Sequence, residues 1–442
     1  MRSNDPVSES SSGSLAPLLA EIDRQLEQGD IKQAEIMIAR RLRRGPVDGE
    51  GRSALLLRRA RVRLFSEKPD DALADLREAF ALEPDLLSQP EVRELLADVH
   101  FARFELAPLG FADRADADQA LAYYLALAAE LPEYPNRGWV SYQTGRVLLS
   151  ANRVDEAVSR FEAALDEPSW VGALRSLCYE RLGFVELFER RNPAAALACF
   201  AQAIDAYPAG ENSGWLVQLH ILRSRALREQ KDYAGALSAA RQALRAVDSR
   251  APDYRLAYSE AHLAVGEALA HFRTREEDAI DHLVRFLQLG RQPLGVDVTW
   301  GRVYETIGAL SLRLGRYGPA AEAFNTALAY NPLHPLGDTL QLQIARACYD
   351  SGDYARAAQT LEALCAAAES EGDMILDYRV YSLLADSYAA QAAYPQAAAA
   401  YAQAIALIPS SGAERAALLD AHERALRHLP RSGAIDKQAA AR

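Results

Sequence analysis

Ten alanines frame this chain. Ala34, Ala72, Ala120, Ala157, Ala196, Ala236, Ala279, Ala320, Ala357 and Ala397 stand at a mean step of about 40 residues along its 442. Each belongs to a variant of one local pattern: an apolar stretch at helical spacing, a turn, and a second apolar stretch facing back on the first. A pair of short helices cannot bury its apolar face alone, so a chain of this kind must stack unit on unit. The pattern is clearest over residues 304–332. There Tyr304, Ile307 and Gly308 share a face of a first helix, and Tyr317, Ala320, Phe324 and Ala327 a face of a second. Gly315 stands where the chain reverses, since glycine takes the left-handed conformation without steric cost. The spacing puts Gly308 opposite Ala320 and leaves Phe324 to fill the space beyond them; Pro332 stops the second helix. Abundant alanine and leucine with few β-branched residues favour helix nearly throughout.

This spacing resembles the tetratricopeptide repeat, on which Tyr304, Ile307, Gly308, Gly315, Tyr317, Ala320, Phe324, Ala327 and Pro332 all fall. Ser311 departs from it, where an aromatic usually stands. The resemblance implies an all-α, right-handed α-solenoid (superhelix) of about ten TPR-like helix pairs with a C-terminal capping helix. It further implies a concave face lined by the first helices of successive pairs. The expected boundaries are a disordered Ser-rich lead-in over 1–13, the solenoid over 14–410, the capping helix over 411–430 and a flexible tail over 431–442. Two units are irregular. The third has a long turn over 107–118, a place for an insertion or a contact, and the fifth carries one extra residue in its turn.

Catalytic signatures are absent from the sequence: no phosphate-binding glycine loop, no dinucleotide fingerprint, no paired-histidine zinc helix and no nucleophile elbow. His262, His271 and His282 form the densest histidine group, yet no two have the i,i+4 spacing that aims two rings at one metal. Glu276, Glu277 and Asp278 open a helix, where acids interact favourably with its N-terminus. The reading is therefore a protein that is not an enzyme and carries no cofactor or metal. Cys178, Cys199, Cys348 and Cys365 lie on apolar helix faces without C-x-x-C spacing, as free thiols of a reducing compartment do. No run of about 18 apolar residues occurs, so the expectation is a soluble cytoplasmic protein without a membrane partner.

A net charge of −12 gives no general footprint for nucleic acid. Charge is uneven: residues 40–63 hold nine arginines against Asp48 and Glu50, while residues 69–171 hold 20 acids against eight arginines. That asymmetry could orient a charged partner or pair subunits head to tail. The resemblance implies a protein-binding scaffold or adaptor that takes an extended peptide or partner helix in the groove. The alternative is a regulatory sensor whose superhelix changes shape on binding a peptide or effector. Residues placed on the groove are Trp139, Tyr142, Gln143, Arg146, Glu180, Arg181, Arg225, Arg302, Glu305, Gln343, Arg346, Arg379 and Asp386. Arginines and aromatics are common binding anchors, and the arginines together suggest an acidic or C-terminal peptide. The family's carboxylate clamp needs lysines and asparagines in the first helices, which this chain lacks there.

Overall fold

A computed structural model describes residues 15–44, 47–108, 111–167, 173–208, 213–251, 254–371, 376–408 and 412–429. The lead-in over 1–13 and the tail over 431–442 lie outside these. The described residues form an all-α fold of helices packed in adjacent antiparallel pairs, with no strand among them. The chain divides into two compact units, residues 1–211 and 212–442. In the first unit the pairs are Ala16–Glu27 with Ile31–Arg43, Gly49–Phe65 with Pro69–Leu82, Pro90–Glu105 with Arg114–Glu130, and Arg137–Ser150 with Val154–Leu165. The last is Ala173–Phe184, extended by Val185–Glu189, with Pro193–Asp205. In the second unit they are Ser213–Glu229 with Tyr233–Ala246, Tyr254–Leu269 with Glu276–Leu289, and Val298–Arg313 with Tyr317–Tyr330. Gly337–Asp350 with Tyr354–Glu371 and Tyr378–Ala390 with Tyr394–Leu407 follow, and Ala413–Arg427 comes last.

Several turns within pairs share one hydrogen-bonded design. Gly315 is left-handed at φ +70°, and the Arg316 amide behind it donates to the Ser311 carbonyl at 2.9 Å. Lys231 (φ 63°) and Ala392 (φ 59°) hold the same position, with Asp232 bonded to Leu227 and Ala393 to Tyr388, both at 2.9 Å. Side-chain caps then start several of the second helices. Asp30 accepts from the Gln33 amide at 3.1 Å and Asp232 from the Gly235 amide at 2.9 Å.

Bare backbone receives a ring at the centre of three pairs. A Cβ at Gly308 would lie 2.7 Å from the Phe324 ring, and one at Gly145 or Gly183 would lie 2.6 Å from Phe161 or Phe200. The hollow at Gly308 is filled by the ring of Phe324. Where the first helix carries serine instead, its hydroxyl ties the pair: Ser224 Oγ donates to the Ala236 carbonyl at 2.9 Å.

The two irregular units resolve differently from each other. In the third, the helix starts at Arg114, because Asp113 accepts the Ala115 amide at 2.9 Å and caps it. The connection is thus shorter than the 107–118 loop, and Phe111 within it is 80% exposed. In the fifth, the extra residue is taken up inside the helix: Val185–Glu189 is π-helical, with the Arg190 amide reaching back to the Val185 carbonyl at 3.0 Å. The final helix shares a core with the last pair through Leu418, Ala425, Tyr401 and Ala404, and so covers its apolar flank.

The Gly308 hollow yields a prediction with opposing terms. Gly308→Ala gains up to ~1 kcal/mol of helix propensity, but overpacking against a fully buried ring costs roughly 1–3 kcal/mol. Denaturant titration should show a net loss, whereas Gly318→Ala, with nothing within 4 Å of the added methyl, should show none.

Candidate functional site

In the first unit, consecutive first helices pack side by side while the second helices stay apart, which puts the first helices on the inside of the curve. A groove of about 1010 Å³ opens there, lined from Ala16–Glu27, Gly49–Phe65, Pro90–Glu105 and Arg137–Ser150. Its apolar wall includes Leu57, Val92, Leu95, Phe101 and Trp139, with Phe65 exposed at the rim.

Its arginines are largely engaged within the protein. Arg58 makes a two-point ion pair with Asp23, at 2.8 and 2.6 Å. Arg146 binds Glu105 at 2.6 and 2.5 Å and the Gln143 carbonyl at 2.8 Å, with its guanidinium 4.9 Å from the Phe101 ring centre. Within the basic stretch 40–63, Arg52 likewise pairs with Glu78, and both Arg59 and Arg63 pair with the buried Asp75.

The acids of the groove floor differ. Glu94 and Asp98 are partly exposed to the cavity and otherwise surrounded by protein. Glu94 accepts from the Tyr134 hydroxyl and, at 3.1 Å, from Asn136 Nδ2. Asp98 accepts from the Tyr124 hydroxyl and, at 3.2 Å, from Gln143 Nε2. Burial pushes both carboxyls above their usual range despite these bonds. No ion pair to either is found among the described residues. The sequence did carry a signal for them: Glu91, Glu94, Asp98 and Glu105 recur on one face of their helix.

Of the residues placed on the groove from sequence, Trp139, Gln143 and Arg146 are brought together on this wall. Tyr142 lies beneath them, 2% exposed, its ring 5.5 Å from Trp139 and 5.9 Å from Phe161. Gln143 is 5% exposed and spends its amide on Asp98 and Arg146. Arg181 is half-buried beside Glu180. In the second unit, Glu267 joins Arg302 at 3.1 Å and Arg228 at 2.5 Å, and burial together with Arg302 and Arg228 lowers the Arg225 pKa. Glu305 faces His334 at 3.3 Å, Arg346 pairs with Asp350 on its own helix, Arg379 stands exposed near Asp377, and Asp386 accepts the Tyr401 hydroxyl. Gln343 is partly buried on the Gly337–Asp350 helix. These positions lie on several separate helices. A second cavity of about 570 Å³, lined by Trp300, Tyr304 and Ile307, lies between neighbouring pairs of this unit.

Helix pairing also joins two histidines that local spacing kept apart. His262 Nδ1 and His282 Nδ1 are 2.8 Å apart, so one ring donates and the other accepts. Among the described residues no group of three or more His, Cys, Asp or Glu is arranged to hold a metal ion.

The stacked pairs and the groove on their first helices define an α-helical repeat protein of the kind that presents an interaction surface. Residues 307–372 match the family described as Tetratricopeptide repeat. No curated protein matches the sequence. Among solved structures, PilF of Pseudomonas aeruginosa is 19% identical, over 58% of this chain and 98% of that one, with a TM-score of 0.36. YrrB, described as a TPR protein with an unusual peptide-binding site, is 18% identical over 48% of this chain and 95% of that one, with a TM-score of 0.35. The apo form of the quorum sensor NprR from B. thuringiensis is 13% identical over 89% of this chain and 99% of that one, with a TM-score of 0.44. Among the described residues no helix is long and apolar enough to cross a membrane.

The histidine pair has a pH signature. Burial, then His282 and Arg285, lowers His262 to about 4, while the unfolded chain protonates near 6.5. The unfolded state therefore binds the proton first as pH falls, and stability is lost between about pH 6.5 and 4. Melting curves across that window should slope downward toward acid, and His262→Gln should flatten the slope.

Proposed function

We propose that this protein is a non-catalytic adaptor, and that its first unit holds an extended peptide or partner helix along the groove. One observation carries the reading: an apolar wall on four neighbouring helices, beside which Arg58, Arg146, Gln143, Glu94 and Asp98 are held by internal bonds. Arg146, Gln143, Asp98 and Tyr124 form one hydrogen-bonded chain across three helices, so the wall does not need to order itself when a ligand docks. A preorganised surface loses little conformational entropy on binding, which leaves more of the contact energy as affinity. The four free cysteines fit a cytoplasmic protein.

Ala102 is partly exposed and lines the groove, so Ala102→Arg would fill the groove without emptying the core. Peptides selected on the native chain from a displayed random library should lose at least about tenfold in affinity for this variant. Equal binding to both proteins would move the site off the groove.

A further inference from the structure

The charge that faces the groove points to the chemistry of what it takes. Arg58 is neutralised by Asp23 and Arg146 by Glu105, leaving Glu27, Glu91, Glu94 and Asp98 against Arg61. Arg61 is exposed at the groove and makes no ion pair among the described residues. The lining is thus acidic in balance, the opposite sign from the one suggested by counting arginines along the chain.

Two of these acids are unusual in position. Glu94 and Asp98 are one helical turn apart on Pro90–Glu105, on the face that forms the groove floor. Each is surrounded by protein on all sides except the groove, and each is held by neutral donors, a tyrosine hydroxyl and a side-chain amide. Burial raises both carboxyls more than these donors and the nearby cations, Arg61 for Glu94 and Arg146 for Asp98, lower them, so each remains under-compensated. The open side is the groove, and a cation arriving there would supply the missing charge. Apolar side chains flank the acids: Val92 and Leu95 on the same helix, Leu57 on the preceding first helix and Trp139 on the following one. These suit the methylene stem of a long side chain whose charged head reaches the carboxylates. A bare divalent ion would need more oxygen ligands, and no such group of three acids exists among the described residues.

We propose that the occupant of this groove is a cationic segment of polypeptide, seated with an arginine or lysine side chain against Glu94 and Asp98. The inference rests on the reading of the groove as a peptide site and adds the sign of the ligand.

A random short-peptide library displayed on phage is selected against the full-length chain, and the leading peptides are synthesised and titrated calorimetrically. The expected peptides carry arginine or lysine beside apolar residues and weaken as salt rises. Their affinity should fall at least about tenfold for the Glu94→Gln, Asp98→Asn double variant, and acetylating or replacing the cation should have the same effect. Arg61→Glu, at an exposed position, should strengthen them. This gain keeps the test decisive even if the double variant melts early. Peptides that are neutral or acidic, lost on Ala102→Arg but indifferent to the acid substitutions and to Arg61→Glu, would overturn the cationic inference and leave the groove reading standing. Peptides indifferent to Ala102→Arg, or no selected peptide at all, would overturn the groove reading itself.

Discussion

A phenylalanine ring set against bare backbone is the contact on which each well-formed pair depends. At Gly145, Gly183 and Gly308 the first helix has no side chain, and a fully buried ring from the second helix enters the gap. The two axes can then approach closely enough for alanines at the neighbouring positions to close the core, and this explains how alanine comes to dominate it. Packing of this kind is intolerant of one added methyl, because the ring is enclosed and has nowhere to go. Once the pairs are fixed, their stacking follows from the apolar faces they still expose.

Much of this architecture was legible from sequence because its determinants are local. Turn, small residue and ring fall within about 30 residues of one another, as in 304–332, and helical periodicity reports them directly. The structure adds which side chain comes nearest to Gly308, the ring of Phe324. The site was less legible because its determinants are not local. Arg146 reads as a free anchor until Glu105, 41 residues earlier, is brought beside it. Glu94 and Asp98 share one face of their helix in the sequence, but only stacking shows what surrounds them. His262 and His282 fail a test of spacing within one helix and meet across two.

The groove combines firmness with an electrostatic deficit. Arg146 is tied to Gln143 and Glu105 and lies against Phe101, which holds the aromatic wall in place. The two floor acids are left with neutral donors, an arrangement less favourable to the isolated protein than a full set of ion pairs would be. An ion pair completed within the chain at this position would stiffen the floor, but would leave nothing for an incoming cation to satisfy.

The π-helical stretch at Val185–Glu189 bears on how such chains change length. An extra residue usually emerges as a longer loop, yet here the widened turn absorbs it before the reversal at Arg191. Gly183 still meets Phe200, so the pair beyond the widened turn keeps its register. Loop length is therefore a poor record of insertions in this chain, and the helix itself acts as the expansion joint that lets neighbouring units differ by a residue without losing alignment.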